Sequence, residues 1–269
     1  MLVGYATCVQ GRFLLPVSEC EFALESALED LAVNSFERER GCRMERATGA
    51  AMAVAVGLLE CCCPSQPARL MVVAGGPATL GPGAVVSVSL EESIRSHQDF
   101  EKGNVKHFKK ALKFYGGLGN RLMANGHVLD VYACALDQVG LAEMRPAVEA
   151  TGGMMVMAET TASSNFRTSL QKLLERDADG HLKMAFAATF ECFTAREIKV
   201  CGAIGPLVSL EQKSASVAET EIGVGNTTAW KLCRSVPVFL ACVPRLASPP
   251  RPPARSHREV NTPSKKSNV

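Results

Sequence analysis

Apolar positions repeat with two different periods along this chain, and the period changes at Asp177. Upstream, short apolar runs alternate with stretches whose apolar residues recur every three or four positions, as strands buried on both faces and separated by helices would. The pattern predicts a strand over 2–9 and an amphipathic helix over 22–33, with Phe22, Leu24, Ala27, Leu28 and Leu31 as its apolar stripe. The charged segment FERERGCRMER reads as a loop. The stretch 47–60 is so poor in polar groups that it predicts a helix buried on most sides and packed across a sheet. A strand at 70–74 follows. Next comes a helix over 100–124 with Phe108, Leu112, Tyr115, Leu118 and Leu122 inward, its last turns weakened by Gly116, Gly117 and Gly119. Strands at 128–135 and 153–158 then alternate with helices at 141–150 and 165–175. This order predicts an α/β unit over 1–176 built on a mostly parallel sheet covered on both faces.

Beyond Asp177 the turn DADG opens a stretch of short strands. Segments 181–193 and 196–204 carry Phe, Val, Ile and Thr and are joined by a tight Thr-Ala link, and strands at 207–210, 217–224 and 227–233 follow between glycine turns. An antiparallel unit over 177–235 is the simplest reading. From 236 to 269 the chain becomes SPPRPPARSHREVNTPSKKSNV-like, a Pro/Ser/basic tail that cannot form a core and is expected to be disordered.

The strand at 70–74 runs directly into GGPATLGPG, and this junction is the most informative part of the chain. Gly75 and Gly76 can take backbone angles closed to other residues, while Pro77, Gly81 and Pro82 restrict the loop. A rigid loop at the edge of an α/β sheet is placed for contact. It could serve as a docking surface or a phosphate cradle, but the Lys and Ser/Thr that complete a nucleotide-binding loop are missing. Residues 75–99 therefore predict a protein-docking loop, shaped by Gly75, Gly76, Pro77, Gly81 and Pro82, with Arg95 and His97 available for contact.

Twenty-nine basic and 27 acidic side chains nearly cancel, so no global field draws the chain to nucleic acid or anionic lipid. Lys106, Lys109, Lys110 and Lys113 form a local basic surface. Eleven cysteines include no Cys-x2-Cys pair, and the consecutive Cys61, Cys62 and Cys63 cannot converge on one tetrahedral metal. Cys134, Cys192 and Cys201 lie in apolar runs and read as small hydrophobes in a reducing compartment. No apolar run reaches the roughly 20 residues of a membrane span, and the N-terminal stretch lacks the basic region of a signal peptide. Cytosolic residence is the expectation.

Catalytic constellations are thin. His127, Asp130 and Asp137 surround one strand, with Asp137 expected to cap the following helix. Ser96, His97 and Asp99 resemble a triad only as a string, because adjacent residues cannot form the relay, and no Gly-x-Ser-x-Gly elbow is present. No catalytic residue, cofactor site or stoichiometric zinc or magnesium is expected.

AMAVAVGLLE at 51–60, GGPATLGPG at 75–83, IRSH at 94–97 and GHVLDVYACALDQVGLAEM at 126–144 resemble, in that order, the trunk of the inner-layer, GTPase-activating subunit of the COPII vesicle coat. TGGMMVM at 151–157, LKMAFAATFE at 182–191, REIKVCGAIGPLVSL at 196–210 and EIGVGNTTAWKLC at 221–233 continue the resemblance. It implies a von Willebrand A-like trunk followed by part of a β-sandwich. It also implies a place on the cytoplasmic face of the endoplasmic reticulum membrane, and two partners: the cargo-selecting coat subunit and the small coat-recruiting GTPase. Peripheral contact with acidic membrane is a further implication. The family's arginine finger lies in a helical region beyond the matched segments, and its paired-cysteine zinc module has no counterpart here, so the chain is expected to be part of a longer product without GTPase-activating power. The Asp-x-Ser-x-Ser ending of an A-like first strand is missing as well. The trunk is thus expected to lack a middle strand, at a cost of about 1–3 kcal/mol for each backbone group left buried and unpaired. An independent A-like adhesion or scaffold domain that binds ligand through a divalent metal is the alternative, and that missing motif weighs against it.

Overall fold

The chain is described by a computed structural model over residues 13–33, 39–184, 186–234 and 239–244. Helix α1 spans Val17–Val33 and α2 Thr48–Cys62, followed by strand β1, Ala68–Ala74. The short α3, His97–Lys102, precedes α4, Phe108–Asn125, and β2, His127–Cys134. Helix α5, Leu141–Thr151, strand β3, Met155–Ala158, and helix α6, Ser164–Leu173, complete the α/β unit. Its three strands are parallel in the order β1-β2-β3, with Leu70 opposite Leu129, Val72 opposite Val131 and Val131 opposite Met155. The central β2 is buried from His127 to Ala133, which is why its sequence is continuously apolar apart from His127 and Asp130.

Helices α2, α4 and α5 cover one face of this sheet. Met52 and Val56 of α2, Tyr115, Leu118 and Leu122 of α4, and Met144 and Val148 of α5 close on Leu129 and Val131. The inward stripe expected for the helix at 100–124 is present, but the helix is broken. Gly103 takes a left-handed φ of 71°, ending α3, and α4 starts afresh at Phe108. The glycines do not weaken α4, which runs through to Asn125. Gly119 is where α5 presses closest: a Cβ there would stand 2.8 Å from Ala147 Cα. Close helix packing thus offsets the poor intrinsic propensity.

The opposite face is covered unevenly, which corrects the expectation of a sheet sheltered on both sides. Phe166 of α6 packs edge-on to Tyr132 at 5.4 Å, whereas Met71 and Val73 of β1 remain 44% and 56% exposed. Strand β1 pairs on one side only among the described residues. Helix α2 buries one face rather than most of its surface, leaving Val54 64% exposed, because nothing described packs on its outer side. Helix α1 forms as expected, but its stripe is not covered, and Phe22 is 84% exposed.

Strands β4, Phe186–Glu191, β5, Ile198–Ile204, β6, Leu207–Ser209, β7, Ala229–Arg234, and β8, Phe239–Pro244, form two antiparallel sheets, β4-β7-β6 and β5-β8. Trp230 fills the core of this region, stacked on Phe190 at 5.6 Å and donating its indole N–H to the Val224 carbonyl at 2.9 Å. The hairpin expected across the Thr-Ala link does not occur: β4 pairs with β7 and β5 with β8. The segment 217–224 contributes single bridges at Val217 and Val224 instead of a strand. Nor is the tail structureless from 236 onward, since Phe239–Pro244 pairs along β5. The strand expected at 2–9 and the remainder of the tail, 245–269, lie outside the described residues.

Candidate functional site

The loop after β1 is stitched into the fold more firmly than a surface loop. Gly76, Pro77, Ala78 and Thr79 are buried, while Gly75 and the corner Leu80, Gly81 and Pro82 are exposed. Arg46 holds the inner part through its backbone: its N–H donates to Thr79 Oγ1 at 2.8 Å, and its carbonyl accepts from the N–H of Thr79 and Leu80. Tyr115 donates to the Gly83 carbonyl at 3.0 Å, and its burial pushes the phenol pKa up, with Glu143 adding to the shift. The left-handed positions are Gly81 and Gly83, at φ 72° and 78°, and not Gly75 or Gly76 as expected. Gly76 makes room of another kind. A Cβ there would lie 2.9 Å from Arg46 Cζ, so its bare backbone lets the guanidinium cross the loop.

Arg95 and His97 separate in the folded chain. Arg95 was expected to be free for contact, yet its side chain is only 12% exposed and forms a bidentate pair with the fully buried Glu143 of α5, with Nε at 2.6 Å from Oε1. Its Nη1 donates to Gln138 at 2.9 Å, and the guanidinium lies 4.8 Å and 5.5 Å from the ring centroids of Phe100 and Phe108. Arg95 is a clamp joining the loop to α3, α4 and α5. His97 is exposed at the first position of α3. Ser96 and Asp99 are the capping box of that helix, a use that the Ser-x-x-Asp spacing announces. Beside them, Glu92 accepts from the Ser87 N–H and meets His107 Nε2 at 3.1 Å; these contacts hold its carboxyl pKa down to about 2.

At the carboxyl ends of β1 and β2 the loop forms one wall of a cleft of about 620 Å³. Such crevices are where parallel sheets bind ligands. Gly75, Gly76 and Pro77 line one side, Ala135 to Gln138 another, and Arg43, Met44, Arg46, Leu90, Ser93 and Ile94 the rest. Arg43 is committed to the loop, donating to the Ser89 and Ser87 carbonyls. The Arg46 side chain has only a 3.5 Å contact with the Gly75 carbonyl, and neither arginine has a carboxylate partner among the described residues. Arg46 was not singled out from the sequence, where it stands as one charge among many in a segment read as a solvated loop.

The trio His127, Asp130 and Asp137 is not assembled. Asp130 is fully buried in a bidentate pair with Arg69 and also accepts from the Met154 N–H at 2.7 Å. His127 begins β2 and donates Nε2–H to the Cys63 carbonyl at 3.0 Å. Asp137 is exposed on the cleft rim and does not cap α5, whose N-cap is Gly140. Burial pushes the Cys134 and Cys62 thiols up, so both behave as small hydrophobes. Among the described residues no three His, Cys, Asp or Glu side chains are grouped to hold a metal.

The Sec23/Sec24 trunk domain family matches residues 5–177. Protein transport protein SEC23 F of Arabidopsis thaliana is 46% identical over 230 residues, covering 86% of this chain and 30% of that protein, so the chain spans less than a third of its relative's length. The crystal structure of the human COPII-coat protein Sec24c aligns with a TM-score of 0.49 and 12% identity over 75% of this chain and 25% of that one.

Proposed function

Because the chain belongs to the Sec23/Sec24 trunk domain family, we propose that it acts as a binding module of the COPII inner coat in transport from the endoplasmic reticulum to the Golgi. The observation that carries this reading is 46% identity sustained over 230 residues. In it, residues 1–176 are an A-like trunk without its middle strand, a reading supported by the pairing of β1 on one side only among the described residues, and 177–235 are part of a β-sandwich. The partners are the cargo-selecting coat subunit and the coat-recruiting GTPase, met on the cytoplasmic face of the membrane. The exposed Lys106, Lys109, Lys110 and Lys113 supply the charge for peripheral contact with acidic lipid.

Gly75, Gly76, Pro77, Gly81, Pro82 and His97 belong to the docking surface, with the exposed corner 80–82 as its contact point and Arg95 as the clamp that shapes it. GTPase activation belongs to the longer family protein, whose arginine finger lies outside the matched segments. A GTPase assay tests this division: the purified chain leaves hydrolysis by the GTP-loaded coat GTPase at its intrinsic rate while still binding the cargo-selecting subunit. Even tenfold stimulation, lost on denaturing the chain, would show that a finger arginine is present after all.

A further inference from the structure

Helix α1 carries an apolar seam that its own chain leaves bare. Val17, Cys20, Leu24, Ala27 and Leu31 follow one another at alternating spacings of three and four, the repeat by which one helix packs along another. Cys20 is half-buried, but Val17 and Leu31 are 71% and 72% exposed, and Leu24, Ala27 and the adjoining Leu28 are exposed as well. At about 3.6 residues per turn, Glu21 and Glu25 run along one side of the seam and Glu19 and Asp30 along the other, while Phe22 falls on the far side. These four and Glu29 are exposed carboxylates in a helix that contains no Lys or Arg. None of them has an ion-pair partner among the described residues. Glu29 and Asp30 stand near the negative end of the helix dipole, with no basic residue in the last turn to oppose them. A 17-residue helix whose seam is uncovered draws little support from packing, and a cationic partner would supply both the packing and the missing charge.

We propose that α1 is a docking helix for a basic amphipathic helix of a partner protein, whose apolar side chains pack on Val17, Leu24, Leu28 and Leu31 while its Lys or Arg residues meet Glu21, Glu25 and Asp30. Charge decides the occupant. A second copy of α1 would bring two sets of carboxylates together with no cation between them, and like charges across a helix pair oppose association. A lipid surface fits poorly too, since helices that lie on membranes carry Lys or Arg on their polar face. The seam shares no residue with the loop at 75–83, so the two surfaces stand or fall separately.

The test uses the 269-residue chain and two fluorescent peptides of equal apolar content. One is three repeats of Lys-Ile-Ala-Ala-Leu-Lys-Glu, and the other is three repeats of the charge-reversed Glu-Ile-Ala-Ala-Leu-Glu-Lys. Fluorescence anisotropy should show the Lys-rich peptide binding at least about tenfold tighter, with added helical signal in circular dichroism and a preference that shrinks as salt is raised. Leu24→Asp should abolish binding, and Glu21→Lys with Glu25→Lys should reverse the preference. Equal binding of the two peptides, binding of neither, or a preference that survives the double reversal would overturn the proposal. Three further results would do the same by naming another occupant. A melting temperature lowered by Leu24→Asp would mean that the chain covers the seam itself. A dimer in sedimentation equilibrium that Leu24→Asp dissolves would assign the seam to a second copy. Binding to phosphatidylcholine vesicles that Leu24→Asp removes, with no affinity for the Lys-rich peptide, would assign it to lipid.

Discussion

Arg95 lies against a pair of phenylalanine rings with both carboxylate oxygens of the buried Glu143 on its guanidinium, whereas Arg46, in the same α/β unit, meets a cleft and no carboxylate among the described residues. Both arginines sit in loops next to the sheet, and nothing local in the sequence separates them. The difference is burial. A guanidinium withdrawn from water must be paired, because the desolvated charge is costly alone, and once paired it fastens the elements that carry it. A guanidinium left at a cavity wall adds little to folding. One arginine therefore fastens the fold, and the other contributes to it chiefly through its backbone.

The largest effect should come from Glu143→Ala, which strands Arg95 as a buried charge and should cost about 3–5 kcal/mol in urea unfolding. A loss below about 1 kcal/mol would mean that water reaches Arg95 and that the contrast with Arg46 is false. A smaller effect is expected at Glu92, which also ties the loop to α4. Its carboxyl pKa is lowered from 4.5 to about 2, so its contribution is present above 4.5 and is lost as the pH falls toward 2. Glu92→Gln should flatten the decline in the urea midpoint over that window, and an identical decline in the variant would assign it to other carboxylates. Ser96→Ala removes the cap of α3, close to the Arg95 clamp, and should cost about 1 kcal/mol. Arg46→Gln should change stability by no more than about 0.5 kcal/mol, and a melting temperature that falls as far as that of Glu143→Ala would make Arg46 a second clamp.

Much of the α/β unit was legible before folding. The apolar run of β2, the inward stripe of α4 and the break after Ala74 all follow from local periodicity and turn chemistry, because neighbouring residues alone decide them. The resemblance to the coat trunk also stood in the order of the sequence words, and the match over 5–177 agrees with it. The antiparallel region was less legible. Segments 181–193 and 196–204 looked like a hairpin, but strand pairing is a choice among distant partners, and β7 and β8 outcompeted the nearer strand.

The candidate site divides the same way. The sequence by itself determined the rigid Gly/Pro loop, its position after a buried strand and the capping box that begins α3, since each depends on the backbone preferences of adjacent residues. It could not say that Gly76 serves the passage of Arg46, that Arg95 is spent on Glu143, or that Asp137 ends on a cleft rim rather than on a helix. Those assignments rest on which side chains are withdrawn from water together, and residues 48 positions apart in the chain, such as Arg95 and Glu143, are brought within hydrogen-bond reach only when the helices close on the sheet.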